Sequence, residues 1–170
     1  EFIRGVVRKC LWIPEEKLPQ ALHIASIRAR VDGVREMRLK SKDAGTNEMA
    51  SRGHQFREMY HGEKHTLILP GVSSEGREYL PVGLIDNHSV VSNLAFALYD
   101  APLWNLAIIA SRLHLVWIAT VCGKLKTDFR YSNTLGWNTF PVPGLTDKNK
   151  ADLTRCAEDT LLSREHHFPA

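Results

Sequence analysis

Cysteine is scarce in this 170-residue chain: Cys10, Cys122 and Cys156 are odd in number, far apart and form no CxxC pair. That excludes a disulfide framework and a zinc knuckle, and a reduced compartment is the natural expectation. Charge of one sign is not in large excess either. The net charge of +3 suits an anionic partner without establishing one, so the places where charge clusters matter more than the total. Long apolar runs are missing. The longest, residues 103–121, is broken by Asn105, Arg112 and His114, and reads as a buried helix rather than a membrane span. No signal peptide is visible; the chain begins inside strand-like sequence, from which a piece of a longer, cytoplasmic prokaryotic protein is expected.

Catalytic signatures are lacking as well. Residues 71–76 (GVSSEG) do not have the spacing of a GxSxG nucleophile elbow. His61 and His65 are four apart, but Glu does not follow His61 directly and Gly62 weakens the helix a zinc-protease pair needs. Neither a Walker loop nor a dinucleotide GxGxxG occurs, and no Asn-Pro-Pro-aromatic or Asp-Pro-Pro-aromatic tetrapeptide of the amino-methyltransferases is present. No catalytic residue and no metal site are expected within the chain.

What is present is an ordinary globular composition, long enough for one core or two small ones. Residues 2–13 (FIRGVVRKCLWI) are strand-like and stop at Pro14. From Glu15 to about Lys40 the pattern turns helical, with Ile24, Ile27, Val31 and Val34 at three- and four-residue spacing; Arg28, Arg35 and Lys42 recur every seven residues beside them. Residues 41–60 read as an irregular connection. Strands are expected at 65–69, 79–85 and 90–99, a buried helix over 102–121 ending near Gly123, and a strand pair over 129–140 around Gly136. A last amphipathic helix spans 146–163, capped by Thr146, with Leu153, Cys156, Ala157 and Leu161 on one face. These elements predict an α+β fold: a mixed sheet with a long N-terminal helix, a buried central helix and a C-terminal amphipathic helix.

Three stretches carry a signature: residues 28–38 (RARVDGVREMR) with Ser41, Lys42 and Thr46; residues 69–81 (LPGVSSEGREYLP); and residues 111–117 (SRLHLVW), 121–132 (VCGKLKTDFRYS) and 138–141 (NTFP). Together they resemble the target-recognition domain of MmeI-like enzymes, the single-chain type IIL restriction–modification proteins. The resemblance implies a DNA-recognition domain over residues 1–144, with 145–170 opening a C-terminal helical segment. It implies that a nuclease and an adenine-N6 methyltransferase domain precede the region in the parent, which makes that domain a partner in cis. S-adenosylmethionine would then be bound outside this chain, and double-stranded DNA would be the other partner, with no membrane involved.

Several residues are candidates for the DNA contacts. In an extended segment, Lys124, Lys126, Asp128 and Arg130 would share a face. Lys and Arg donate to guanine O6 and N7, and Asp accepts from cytosine N4, so Lys126, Asp128 and Arg130 are candidate base readers. Composition alone favours a solvated loop of mixed charge there. The resemblance favours base reading, because in similar proteins these alternating positions vary with the base read. Ser73, Ser74 and Arg77 suit phosphate contacts, or else residues 73–78 form a hairpin loop in which Glu75 and Arg77 pair. Arg35, Arg38 and Lys42 offer a basic edge for the backbone, although Glu36–Lys40 is an ordinary helix pair and Arg28 an internal partner. Lys124, Tyr131 and Ser132 complete the expected contacts, with Tyr131 equally suited to the core. Trp12, Trp104 and Trp117 are core by default. The rival expectation is a protein-interaction or structural domain that packs against the catalytic domain of a restriction complex.

Overall fold

The structure, a computed structural model, describes residues 8–167. The chain divides into two compact units, Glu1–Tyr60 and His61–Ala170.

In the first unit a 3-10 turn, Glu15–Lys17, runs into helix α1 (Leu18–Leu22), followed by α2 (Ala25–Leu39), α3 (Ala44–Glu48) and a 3-10 turn at Met49–Arg52. The expected strand at 2–13 lies outside the described residues up to position 7, and residues 8–13 are irregular. They are anchored by buried Ile13 and by Trp12, which stacks on Phe56 with ring centroids 6.1 Å apart. The expected helix is broken where Ile24 takes an extended backbone, φ −83° and ψ 110°. Arg28 Nε donates to the Leu22 carbonyl at 2.7 Å and so caps α1. Because Ile24 precedes the first turn of α2, it falls off the stripe and is 53% exposed, while Ile27, Val31 and Val34 are half-buried. Asp43 caps α3 by accepting from the Thr46 amide at 2.7 Å, which holds its carboxyl below the usual carboxylate range.

Among its described residues the second unit holds two sheets, three α-helices and a π-helical turn. Strands β1 (His65–Pro70), β3 (Gly83–Asp86) and β4 (Ala95–Tyr99) form one sheet in the order β3-β1-β4. Strands β2 (Val72–Ser73), β5 (Lys124–Leu125) and β6 (Asp128–Arg130) form another, in the order β2-β6-β5. All pairings among the described residues are antiparallel, where a mixed sheet was expected, and the α+β class stands. The long central helix is two: α4 (Trp104–Ala110) and α5 (Arg112–Val121), bent by 58° at Ser111. Ser111 is extended and its hydroxyl accepts from the His114 amide at 3.1 Å, so it is the N-cap of a new helix inside the apolar run. No single helix among the described residues is long and apolar enough to cross a membrane. Helix α6 (Asp147–His167) packs along α4. Thr146 caps it, exchanging hydrogen bonds with Asn149, and Arg164 reaches the Val82 carbonyl. Of its expected apolar face, Ala157 is buried and Leu153 and Leu161 half-buried, but Cys156 is exposed.

The core joins Leu67 and Leu69 of β1, Leu80, Val82, Leu106, Ile109, Leu115, Ile118, Tyr131 and Ala157. Residues 133–137, expected in a strand pair, form a π-helical turn instead. Close packing explains it: a Cβ on Gly136 would meet Cys122 Sγ at 3.2 Å and Tyr131 Cζ at 3.3 Å, so the turn wraps tightly over α5.

Candidate nucleic-acid interface

The small sheet brings two of the signature stretches together. The chain leaves the larger sheet at Pro70, passes Gly71 and enters β2 at Val72. Gly71 is held on both sides, its amide donating to Leu94 O at 3.0 Å and its carbonyl accepting from the Tyr131 amide at 2.9 Å. The small sheet is thereby fixed to the end of the core sheet, where its central strand β1 finishes. β2 pairs with β6 (Val72 opposite Arg130, Ser73 opposite Phe129), and β5 pairs with β6 (Lys124 opposite Phe129, Leu125 opposite Asp128).

Residues 124–130 are thus a tight hairpin, not one extended strand. Lys126 and Thr127 form its two-residue turn, and Lys126 takes a left-handed backbone, φ 58°, which glycine or asparagine adopts at less cost. The expected common face of four alternate residues does not exist, because the turn reverses the chain between the second and third of them. Antiparallel partners share a face, so the outer face of the sheet carries Arg130 beside Val72 and Asp128 beside Leu125. Lys124 lies on the other face, its Nζ 5.8 Å from the centroid of the Phe129 ring. Lys126 projects from the hairpin tip.

The polar loop after β2 adjoins this hairpin. Ser74 O accepts from the Arg77 amide at 3.2 Å and Ser74 Oγ from the Gly76 amide at 3.3 Å, closing a turn. The Glu75 amide donates to Asp128 Oδ1 at 3.3 Å, which orients that carboxylate and leaves Oδ2 without a protein partner among the described residues. Glu75 and Arg77 do not pair.

Three expected contact residues are turned elsewhere. Ser73 is 5% exposed, on the inner face with Phe129, and its hydroxyl has no partner among the described residues. Tyr131 is 6% exposed, and its hydroxyl meets His114 Nε2 at 3.0 Å in the core, where burial raises its pKa. Arg38 folds back onto its own unit, donating to the carbonyls of Met49, Arg52 and Gln55 at 2.9, 2.7 and 2.8 Å. Ser132 is half-buried and its hydroxyl accepts from the Leu135 amide at 3.3 Å. Ser74, Arg77, Lys124, Lys126 and Arg130 are exposed, as are Arg35 and Lys42 in the other unit, which make no hydrogen bond or ion pair among the described residues. Lys40 is paired with Glu36 at 3.8 Å, as its spacing predicts. His61 and His65 aim ring nitrogens at the carbonyls of Gly62 and Ala101, at 3.0 and 2.8 Å, not at a shared point.

A solvated hairpin of Lys, Asp and Arg is by itself common, so the family decides how to read it. The family model described as MmeI, target recognition domain, matches residues 1–144. The chain belongs to that family. The MmeI-type recognition domain is also 39% identical over 165 residues to DNA methyltransferase A of Bacillus subtilis (strain 168), covering 97% of this chain and 19% of that protein. Among solved structures it matches the type IIL restriction-modification enzyme MmeI in complex with DNA, with a TM-score of 0.87 and 28% identity, over 95% of this chain and 22% of that one. The recognition domain thus spans about a fifth of each of these proteins. Two outer-face residues of the domain, Val72 and Leu125, were not candidates from sequence. The hairpin that places them turns on Lys-Thr rather than on the Asn-Gly or Asp-Gly that marks such turns in a sequence.

Proposed function

We propose that this recognition domain docks on double-stranded DNA and reads part of a base sequence for an adenine-N6 methyltransferase domain in cis. S-adenosylmethionine is bound by that other domain, which extrudes the target adenine for methylation. The observation that carries the reading is the outer face of the small sheet, where Arg130 and Asp128 stand side by side with Lys126 at the tip. Arg130 suits guanine O6 and N7. Asp128, its Oδ1 engaged by the Glu75 amide, keeps Oδ2 to accept from a cytosine amino group. A lysine in a left-handed turn position supports a functional demand at Lys126, since a less strained residue would serve folding better. Ser74, Arg77 and Ser132 flank this face as phosphate contacts, Lys124 offers one from the opposite face of the sheet, and Arg35 and Lys42 of the other unit supply backbone contacts.

The test is competition binding among duplexes by the parent protein. Asp128→Ala or Arg130→Ala should each remove about 1–3 kcal/mol of discrimination at one base pair. Arg35→Ala or Lys42→Ala should weaken all sequences alike and make the salt dependence shallower by about one counterion. If Arg130→Ala lowered affinity for every duplex equally and left the preferred sequence unchanged, the base-reading assignment would be wrong.

A further inference from the structure

We propose that Leu125 is a further specificity-determining residue, packing against the C5-methyl group of a thymine in the base pair next to the one read by Asp128. The inference rests on the DNA-reading role proposed above and adds a residue that charge patterning does not reveal. Leu125 is the register partner of Asp128 and shares its outward face, with Arg130 two residues along the neighbouring strand on the same side. It is 51% exposed and takes no part in the hydrophobic core. A single exposed leucine is unremarkable; its position is not. Paired strands set such side chains about 5 Å apart, close to the ~3.4 Å rise between stacked base pairs, so a residue beside Asp128 falls on a neighbouring pair. In the major groove the one apolar group that a base pair offers is the thymine methyl. The face therefore offers a donor, an acceptor and an apolar contact, with Arg130 two residues along β6 from Asp128 and Leu125 across from Asp128 on β5. Lys124, the strand neighbour of Leu125, points to the other side and does not compete for the position.

The experiment removes only the methyl. The preferred duplex of the parent protein is selected from a random library, and each thymine is replaced in turn by deoxyuridine. One thymine, adjacent to the pair whose recognition depends on Asp128, should give about fourfold weaker binding as uracil, the worth of one buried methyl group. Leu125→Ala should bind the thymine and uracil duplexes equally while its preferences at all other positions persist. Leu125→Met should keep part of the discrimination. Because the side chain lies outside the core, the thermal unfolding midpoint of Leu125→Ala should match that of the unchanged protein. If the thymine–uracil difference survives in Leu125→Ala, or no thymine beside the Asp128 pair shows one, while Asp128→Ala still loses its base pair, the inference fails and the DNA-reading role stands. If Asp128→Ala leaves every preference intact, the DNA-reading role fails and this inference with it.

Discussion

On helix α2 the Arg38 guanidinium satisfies three backbone carbonyls, at the first and last residues of the 3-10 turn and in the segment after it, whereas Arg35, less than one turn away, makes no such bond among the described residues. Removing Arg38 leaves those acceptors to water and loosens residues 49–55. Arg38→Ala should therefore lower the unfolding free energy by about 1–3 kcal/mol in urea titrations, a range that allows for charged hydrogen bonds that are only partly shielded. Arg35→Ala should stay within about 0.5 kcal/mol, because nothing in the fold depends on it. Equal losses for the two would contradict the division between a structural arginine and one proposed to contact DNA. Seven-residue spacing shows that arginines share a helix edge, but whether a guanidinium is already occupied depends on where residues 49–55 pass, which no local pattern encodes. Ser73 and Tyr131 are legible only in part for a similar reason. A serine or tyrosine beside charged residues looks like a surface contact until the pairing of β2 with β6 shows which side faces the core.

At the scale of elements, helix α5 is tied to the hairpin through one buried pair. His114 is fully buried; its Nε2 meets Tyr131 Oη, its Nδ1 has no partner among the described residues, and the Phe140 ring stands edge-on at 4.5 Å. Burial depresses the His114 pKa from 6.5 to about 4. Above pH 6.5 the ring is neutral in both folded and unfolded chains, and its contribution to stability is fully present. As the pH falls from 6.5 toward 4 the unfolded chain takes up a proton that the folded chain refuses, so stability declines across that window. Asp43, Asp86 and Asp100, whose pKa values are lowered by accepted hydrogen bonds, add losses only below the ordinary carboxylate value of 3.8. Urea midpoints measured between pH 7 and 4.5 should fall in the unchanged protein and vary much less in His114→Asn. A flat profile in the unchanged protein would show that His114 does not titrate as its burial requires. The break at Ser111 and the π turn were poorly legible for opposite reasons. The Ser111 cap is a true helix-start signal hidden inside an apolar run, and the aromatic, β-branched composition of 129–140 suits a strand but is overruled by packing around Gly136.

For the molecule as a whole, the α+β class, β1 and the C-terminal helix were readable, because hydrophobic period and capping residues are local signals, while the two stretches that build the small sheet stood out by resemblance. The antiparallel sheets and the hairpin turn at Lys126 were not, because register depends on pairings distant in sequence. The candidate readers Lys126, Asp128 and Arg130 were named from sequence on the premise of a single extended strand. The hairpin keeps Asp128 and Arg130 together, moves Lys126 to the tip and brings Leu125 onto their face, across from Asp128. The central claim, which extends the proposed function, is that this hairpin reads bases, with Asp128 on the outer face accepting from a cytosine and Lys126, at the tip beside it rather than on that face, donating to the paired guanine of one G·C pair. The most direct measurement is a genome-wide map of methylated sites made by the parent protein carrying Lys126→Glu together with Asp128→Arg. The account predicts that one specified G·C pair becomes C·G at the same position while every other specified base is retained. An unchanged site, or a change at a different position, would contradict it.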